Sequence, residues 1–339
     1  MADTVRVSEP ATKAAGIRGA MGSDAARIWW ALVALVIVAH FIAPGTLATS
    51  ALLAMLPVTA ILAVAAIGQS LTIQQGGIDF SVPGAMTLAA VLVTGVANTE
   101  DSKLVLGIVV ALAAVLVAGL INGLAITALR ITPIIATLAV NAILFGAVAT
   151  YASASPQAAT NSLSNFAAGR TLGLPNTVWV ALVFVVVAIV IQSRTVMGRR
   201  FISIGSSPAA SRAIGLPVTR YIVGTYVVAA LCYGVAGIML AGYVVSPSLA
   251  LGNPYLLGTI TAVVIGGTSF GGGRARLAGT AAAALFLSLL NSILNVLGAP
   301  PSATLLVQAG AIALAVGLGP VLAAVRRSLK VRSIARAAA

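Results

Sequence analysis

Charge is scarce in this chain of 339 residues: Asp, Glu, Lys and Arg together make up 7% of it. A soluble domain carries about 25%, so a surface this poor in charge has to face something other than water. The chain holds one cysteine, Cys232, and one histidine, His40. A disulfide framework and a cysteine-rich metal site are thereby excluded, and packing or an interfacial position accounts for both residues. No Gly-x-x-x-x-Gly-Lys-Ser/Thr phosphate loop occurs, so the chain is not expected to bind ATP itself. Neither a His/Cys/Glu metal spacing nor a nucleophile elbow is present. Bond chemistry, and with it an enzyme, is not expected.

Hydrophobic residues, by contrast, reach 60% and the mean hydropathy is +1.10. Apolar stretches of about 17–25 residues recur, each enough to cross a hydrocarbon layer of about 30 Å. Such a segment must satisfy its own backbone hydrogen bonds, which predicts helices. Ten spans are expected, at roughly 28–43, 53–73, 83–97, 104–128, 134–152, 177–193, 221–243, 256–270, 277–297 and 303–324. The fold class is therefore all-α, a polytopic transmembrane bundle. The third span is short and opens with Pro83-Gly84, so a re-entrant course is open beside a full crossing. A leading segment, 1–27, carries Arg6, Lys13, Arg18 and Arg27. A cleaved signal ending near Ala48–Ala51 is conceivable, but the many spans that follow favour a retained first helix.

The net charge of +13 raises the question of nucleic acid, but no aromatic-interleaved basic patch accompanies it. The basic residues lie instead in short loops, as the positive-inside bias predicts. With ten spans and both termini in the cytoplasm, the inner side receives Arg130, the loop with Arg194, Arg199, Arg200, Arg212 and Arg220, then Arg274, Arg276 and the basic tail 325–339. Only Lys103 and Arg170 fall outside. Removing one span before residue 190 would set the most basic loop opposite the N-terminus.

Two connections are long. The external one, 153–176, is polar and turn-rich. In the internal one, 194–220, Ser207 is a helix cap with Pro208 at the first helical position, and Gly215 followed by Pro217 supplies a stop. Ser207, Pro208, Ala209, Ala210, Ser211, Arg212, Ala213, Ile214 and Gly215 thus form a bracketed two-turn helix. It is either part of an ordinary solvated loop or a docking helix for a cytoplasmic partner.

Asp79 is the only acid between residues 25 and 99, in the break Gln74-Gln75-Gly76-Gly77-Ile78-Asp79-Phe80-Ser81-Val82-Pro83-Gly84. An ionisable group near membrane depth is a functional candidate by default. It can equally satisfy free N–H groups at a helix start. A second break, Gly266-Gly267-Thr268-Ser269-Phe270, repeats the pattern of paired glycines, a short polar residue and Phe. Paired interruptions point to a translocation path, so Gly76, Gly77, Asp79, Ser81, Gly266, Gly267, Thr268 and Ser269 are its candidate residues. Asn122 and Asn141 join them among polar residues within spans, which also include Gln69, Thr72, Thr137, Asn291, Asn295 and Gln308. An interhelical hydrogen bond is an equal reading for each. Gly119, Gly123, Gly234, Gly237 and Ala281 to Ala284 are read as close helix packing.

Three of these stretches together, Gly76 to Val82, Gly198-Arg199-Arg200 through Ser207-Pro208-Ala209-Ala210 to Gly215-Leu216-Pro217, and Val263 to Ser269, resemble the ribose-type sugar permeases of bacterial ABC importers. The likeness runs over roughly 50–320 in matching order. It implies a multi-pass protein of the bacterial inner membrane that pairs with a second permease subunit, identical or paralogous. A cytoplasmic ATPase pair, which binds the ATP and Mg, would dock on 207–216, and a periplasmic solute-binding protein would deliver a sugar or similar solute. The sequence departs from the family with Val82-Pro83-Gly84 where Val-Gly-Ser is common, and with Ser206-Ser207 where an Asn-Pro opening is usual. Its rivals are an ion-coupled secondary transporter using Asp79 and a scaffold without transport.

Overall fold

The computed structural model describes residues 27–152, 157–300, 302–310 and 312–313. The N-terminal tail, most of the tenth expected span and the basic C-terminal tail lie outside the described residues. Twelve labelled helices follow in chain order: α1 (Arg27–Ile42), α2 (Thr49–Gln74), α3 (Val82–Ala97), α4 (Leu104–Thr127), α5 (Pro133–Ala152), α6 (Asn161–Ala168), α7 (Asn176–Arg194), α8 (Val196–Ser206), α9 (Pro208–Ala213), α10 (Val218–Val244), α11 (Asn253–Ile265) and α12 (Leu277–Val296). Residues 302–310 are also helical. Between α6 and α7 two short strands, β1 (Arg170–Thr171) and β2 (Leu174–Pro175), pair antiparallel.

Among the described residues six helices, α2, α4, α5, α7, α10 and α12, are long and apolar enough to cross a membrane. The ten expected spans are therefore not all matched by membrane-length helices. The helices α1, α3 and α11 have 16, 16 and 13 residues. At 1.5 Å per residue they reach about 20–24 Å, short of a full hydrocarbon layer.

Helices α2 and α10 form the centre. Large apolar side chains of α4, α5 and α7 instead point outward, among them Val105, Val109, Ile135, Ile143, Val183 and Val187. An apolar exterior around a core of small residues is the arrangement that a lipid solvent selects, since lipid tails solvate Leu and Val as well as protein does. Glycine sets the spacing of the core. A Cβ on Gly119 or Gly123 of α4 would strike the α10 backbone at Tyr226 and Val223, and one on Gly237 would strike the carbonyl of Met86.

The connections gather on two faces. On one, the ends of α2, α7 and α11 meet the starts of α5, α10 and α12, together with α8 and α9. On the other, the Asp101 carboxylate accepts from Ser162 N–H (2.8 Å) and Ala159 N–H donates to the Val245 carbonyl (2.7 Å). Arg130, Arg194, Arg199, Arg200, Arg212, Arg220, Arg274 and Arg276 all belong to the first face. On the second, Lys103 is paired with Glu100 at 2.7 Å.

Candidate functional site

The chain leaves α2 through a glycine stop. Gly76 adopts φ +79°, and Gly76 and Gly77 N–H donate back to Ile73 and Thr72 carbonyls at 2.9 and 3.0 Å. This double bond pattern closes a helix C-terminus and favours glycine at the left-handed position. The same device ends α11, where Gly267 has φ +89° and Gly267 and Thr268 N–H return to Val264 and Val263 carbonyls at 3.0 and 3.1 Å. The equivalent residues are Gly76 and Gly267. Equivalence of Gly76 with Gly267 sets the two breaks one position apart from a pairing of Gly76 with Gly266. A shared stop signal explains the likeness of the two breaks.

After Gly77 the chain turns back into the bundle before α3 begins. Asp79 is 1% exposed and Ser81 3%. The Asp79 carboxylate accepts from Ser81 N–H (2.8 Å) and Ser81 Oγ (2.6 Å), and Ser81 Oγ in turn accepts from Asn122 Nδ2 at 2.9 Å. Thr137 Oγ1 accepts from Phe80 N–H (3.0 Å), and Asn141 Oδ1 from Gly84 N–H (2.9 Å). The Gln69 amide, with its oxygen toward Asp79 N–H (3.3 Å) and its nitrogen toward the Asp79 carbonyl (3.2 Å) and Tyr233 hydroxyl (3.0 Å), holds the strand from α2. Every free amide at the start of a helix inside a bundle has to find such a partner. Asp79, Ser81, Asn122 and Asn141 are therefore brought together, and all four support the start of α3. Asn122 Oδ1 has no partner among the described residues although the residue is 1% exposed.

Helix α11 also starts inside. Gly252 N–H donates to Thr87 Oγ1 of α3 at 3.0 Å, and a Cβ on Gly252 would meet the carbonyl of Pro83. At the same level Met86 touches Gly237, seven residues or about 10 Å before the end of α10. The two short helices thus begin against one another within the bundle, α3 running toward one face and α11 toward the other. Sequence reading placed the second interruption after α11 only. The signal for this start was available in Ser246-Pro247-Ser248 and Gly252-Asn253-Pro254, a turn-rich stretch.

Thr268 is buried. Its Oγ1 lies 3.4 Å from Ser70 Oγ and accepts from Arg276 N–H at 3.2 Å. Ser269 is exposed and caps Gly271 N–H at 3.2 Å. A Cβ on Gly266 would strike Thr280 N. A cavity of about 420 Å³ is lined by Gly76, Gly77 and Ile78 of the first break, Thr132 and Pro133 before and at the start of α5, and Phe270 of the second break. Both breaks therefore face one space. Asp79 is not among its lining residues.

The loop 194–220 contains two helices where sequence reading expected one. Thr195 Oγ1 accepts from Gly198 N–H (3.0 Å) to begin α8, which carries Arg199 and Arg200. This helix was missed because its Gly198-Arg199-Arg200 opening reads as a loop. Ser207 Oγ then accepts from Ala210 N–H (3.3 Å), Pro208 takes the first helical position, and Gly215 at φ +81° closes α9. Of this short helix Ser211 is buried, while Ala209, Ala210, Arg212, Ala213, Ile214 and Gly215 are exposed, Ile214 at 74%.

An apolar exterior, two helices that start within the bundle and a cavity shared by two glycine breaks define an integral membrane transport protein. A sequence model for the family described as branched-chain amino acid transport system, permease component, matches residues 51–316, and the chain belongs to that family. The ribose import permease protein of Escherichia coli (strain K12) is 32% identical over 292 residues, 84% of this chain and 90% of the relative. That of Bacillus subtilis (strain 168) is 34% identical over 289 residues, 84% and 89% respectively. The galactose/methyl galactoside import permease protein of Escherichia coli (strain K12) is 29% identical over 274 residues, 75% and 81%. No solved structure matches the chain.

Proposed function

We propose that this chain is the inner-membrane permease subunit of an ABC importer and forms the path for a sugar or a similar small polar solute. The observation that carries this reading is the likeness to the ribose and galactose import permeases over most of both chains. The family description names branched-chain amino acids, but the relatives described above are named for ribose and galactose/methyl galactoside, and a further one for galactofuranose.

Two copies, or one copy and a paralogue, make the path. ATP and Mg are bound by a separate cytoplasmic ATPase, and a binding protein delivers solute on the outer side. The face that carries α8 and α9 is cytoplasmic, as the concentration of arginines there supports. Exposed Ala209 and Ala210 on α9, with Ile214 just after it, offer a small, partly apolar knob to the ATPase. The cavity between the two glycine breaks is the inner end of the path.

Asp79 serves the protein as the support of the α3 start. Its carboxylate is engaged by Ser81, and Asn122 and Asn141 complete that support, so an ion-coupled mechanism centred on Asp79 is not favoured. The test is uptake into proteoliposomes holding the chain, its ATPase and its binding protein. Ribose and galactose are compared with leucine. ATP-dependent uptake of a sugar supports the reading, whereas uptake of leucine alone assigns the path to amino acids.

A further inference from the structure

Three elements far apart in sequence converge on the last residue of α2 and the residue after it. Gln74 is fully buried. Its Nε2 donates to the Gly273 carbonyl at 2.7 Å, and its own carbonyl accepts from Gly273 N–H at 2.8 Å, so it grips from both sides one residue of the α11–α12 connection, 266–276, which opens with the second break. Gln75 Nε2 donates to the Phe201 carbonyl of α8 at 2.9 Å. Gln192, near the end of α7, reaches Gln74 Oε1 at 3.3 Å and the Ala275 carbonyl at 3.4 Å.

Packing closes the same joint. A Cβ on Gly205 of α8 would fall on the Gln74 carbonyl, one on Gly272 on the Gly205 carbonyl, and one on Gly273 on Ser206 Oγ. Helix α8, the end of α2 and the second break therefore touch backbone to backbone. From Gln75 the chain runs directly into Gly76, Gly77 and the irregular segment that holds Asp79. A displacement of α8 cannot leave either break where it was, because close-packed backbone contacts transmit strain.

We propose that Gln74 and Gln75 are the positioning residues that carry movement of the docking helices α8 and α9 to both glycine breaks, and so to the cavity between them. This rests on the reading of α8 and α9 as the ATPase-docking face.

The test uses the full chain with Cys232→Ala, and spin labels at Arg130→Cys and Gly271→Cys, close in sequence to the lining residues Thr132 and Phe270. The protein is assembled with its ATPase in nanodiscs, and the label distance is read without nucleotide and with trapped ADP and vanadate. The expected change in the parent is about 2–5 Å, the scale of helix shifts at packed interfaces. Gln74→Leu, and the double variant Gln74→Leu/Gln75→Leu, should hold the ATPase with an affinity within about twofold, since neither residue belongs to the docking helices, yet lose the nucleotide-dependent change. A parental distance change in these variants overturns the proposal, as does a parent with a bound ATPase and no change. Failure of the ATPase to bind the parent, or its undiminished binding to Ala210→Asp, overturns the docking reading instead. Elution as a single species, with parental melting, separates lost transmission from lost folding.

Discussion

The hydroxyl of Ser81 is the link between Asp79 and Asn122, which makes Ser81→Ala a sharp test of how the start of α3 is held. The change deletes the bond to the Asp79 carboxylate at 2.6 Å and the bond from Asn122 at 2.9 Å. Asp79 keeps the Ser81 N–H, but Asn122, already without a partner on Oδ1, is left with an unpaired buried amide. One lost hydrogen bond costs about 1 kcal/mol and an orphaned buried polar group about 1–3 kcal/mol, which gives about 3 kcal/mol for Ser81→Ala. Asn122→Leu removes the same bond and the orphaned oxygen together, and should cost about 1 kcal/mol. The double variant orphans nothing, so its cost should be about 2 kcal/mol rather than the sum of about 4. The assay is unfolding in mixed micelles by SDS titration, followed by tryptophan fluorescence, for all four corners of the cycle. Costs that add within about 0.5 kcal/mol would refute the shared bond.

Other expectations follow from the same geometry. Asp79→Asn keeps one acceptor for Ser81 and should cost about 1 kcal/mol, whereas Asp79→Leu removes both bonds and should cost about 3 kcal/mol, read by the same titration. Gly237→Leu, whose side chain has to displace the Met86 backbone, should lower stability by about 1–3 kcal/mol and by no less than Gly146→Leu, where nothing lies within 4 Å. Ala210→Asp should leave membrane insertion intact and weaken co-purification of the ATPase at least about tenfold, the effect of about 1.4 kcal/mol.

Much of the scaffold was legible because its signals are local. Apolar length marked α2, α4, α5, α7, α10 and α12 to within a few residues, and the cap at Ser207 and stop at Gly215 defined α9 from five or six neighbours. Asp79 was legible as an isolated acid, and its role at a helix start followed from the break that holds it. What failed depended on distant parts of the chain. The start of α11 inside the bundle is set by Gly252 meeting Pro83 and Thr87, 165 residues away for the hydrogen bond. The grip of Gln74 on Gly273 spans 199 residues, so two ordinary glutamines gave no sign of it. The two glycine breaks look alike in sequence because one C-terminal stop is used twice, which the shared left-handed glycines Gly76 and Gly267 make plain. Helix α8 was hidden because Gly198-Arg199-Arg200, near its start, reads as a loop.

If a separate ATPase acts on the α8–α9 face to drive this permease, solute moves only with ATP. Uptake of labelled ribose and galactose into proteoliposomes, measured with ATP and with imposed proton or sodium gradients, tests it most directly. The expected uptake needs ATP, the ATPase and the binding protein, and survives collapse of both gradients. Gradient-driven uptake by this chain alone would contradict it.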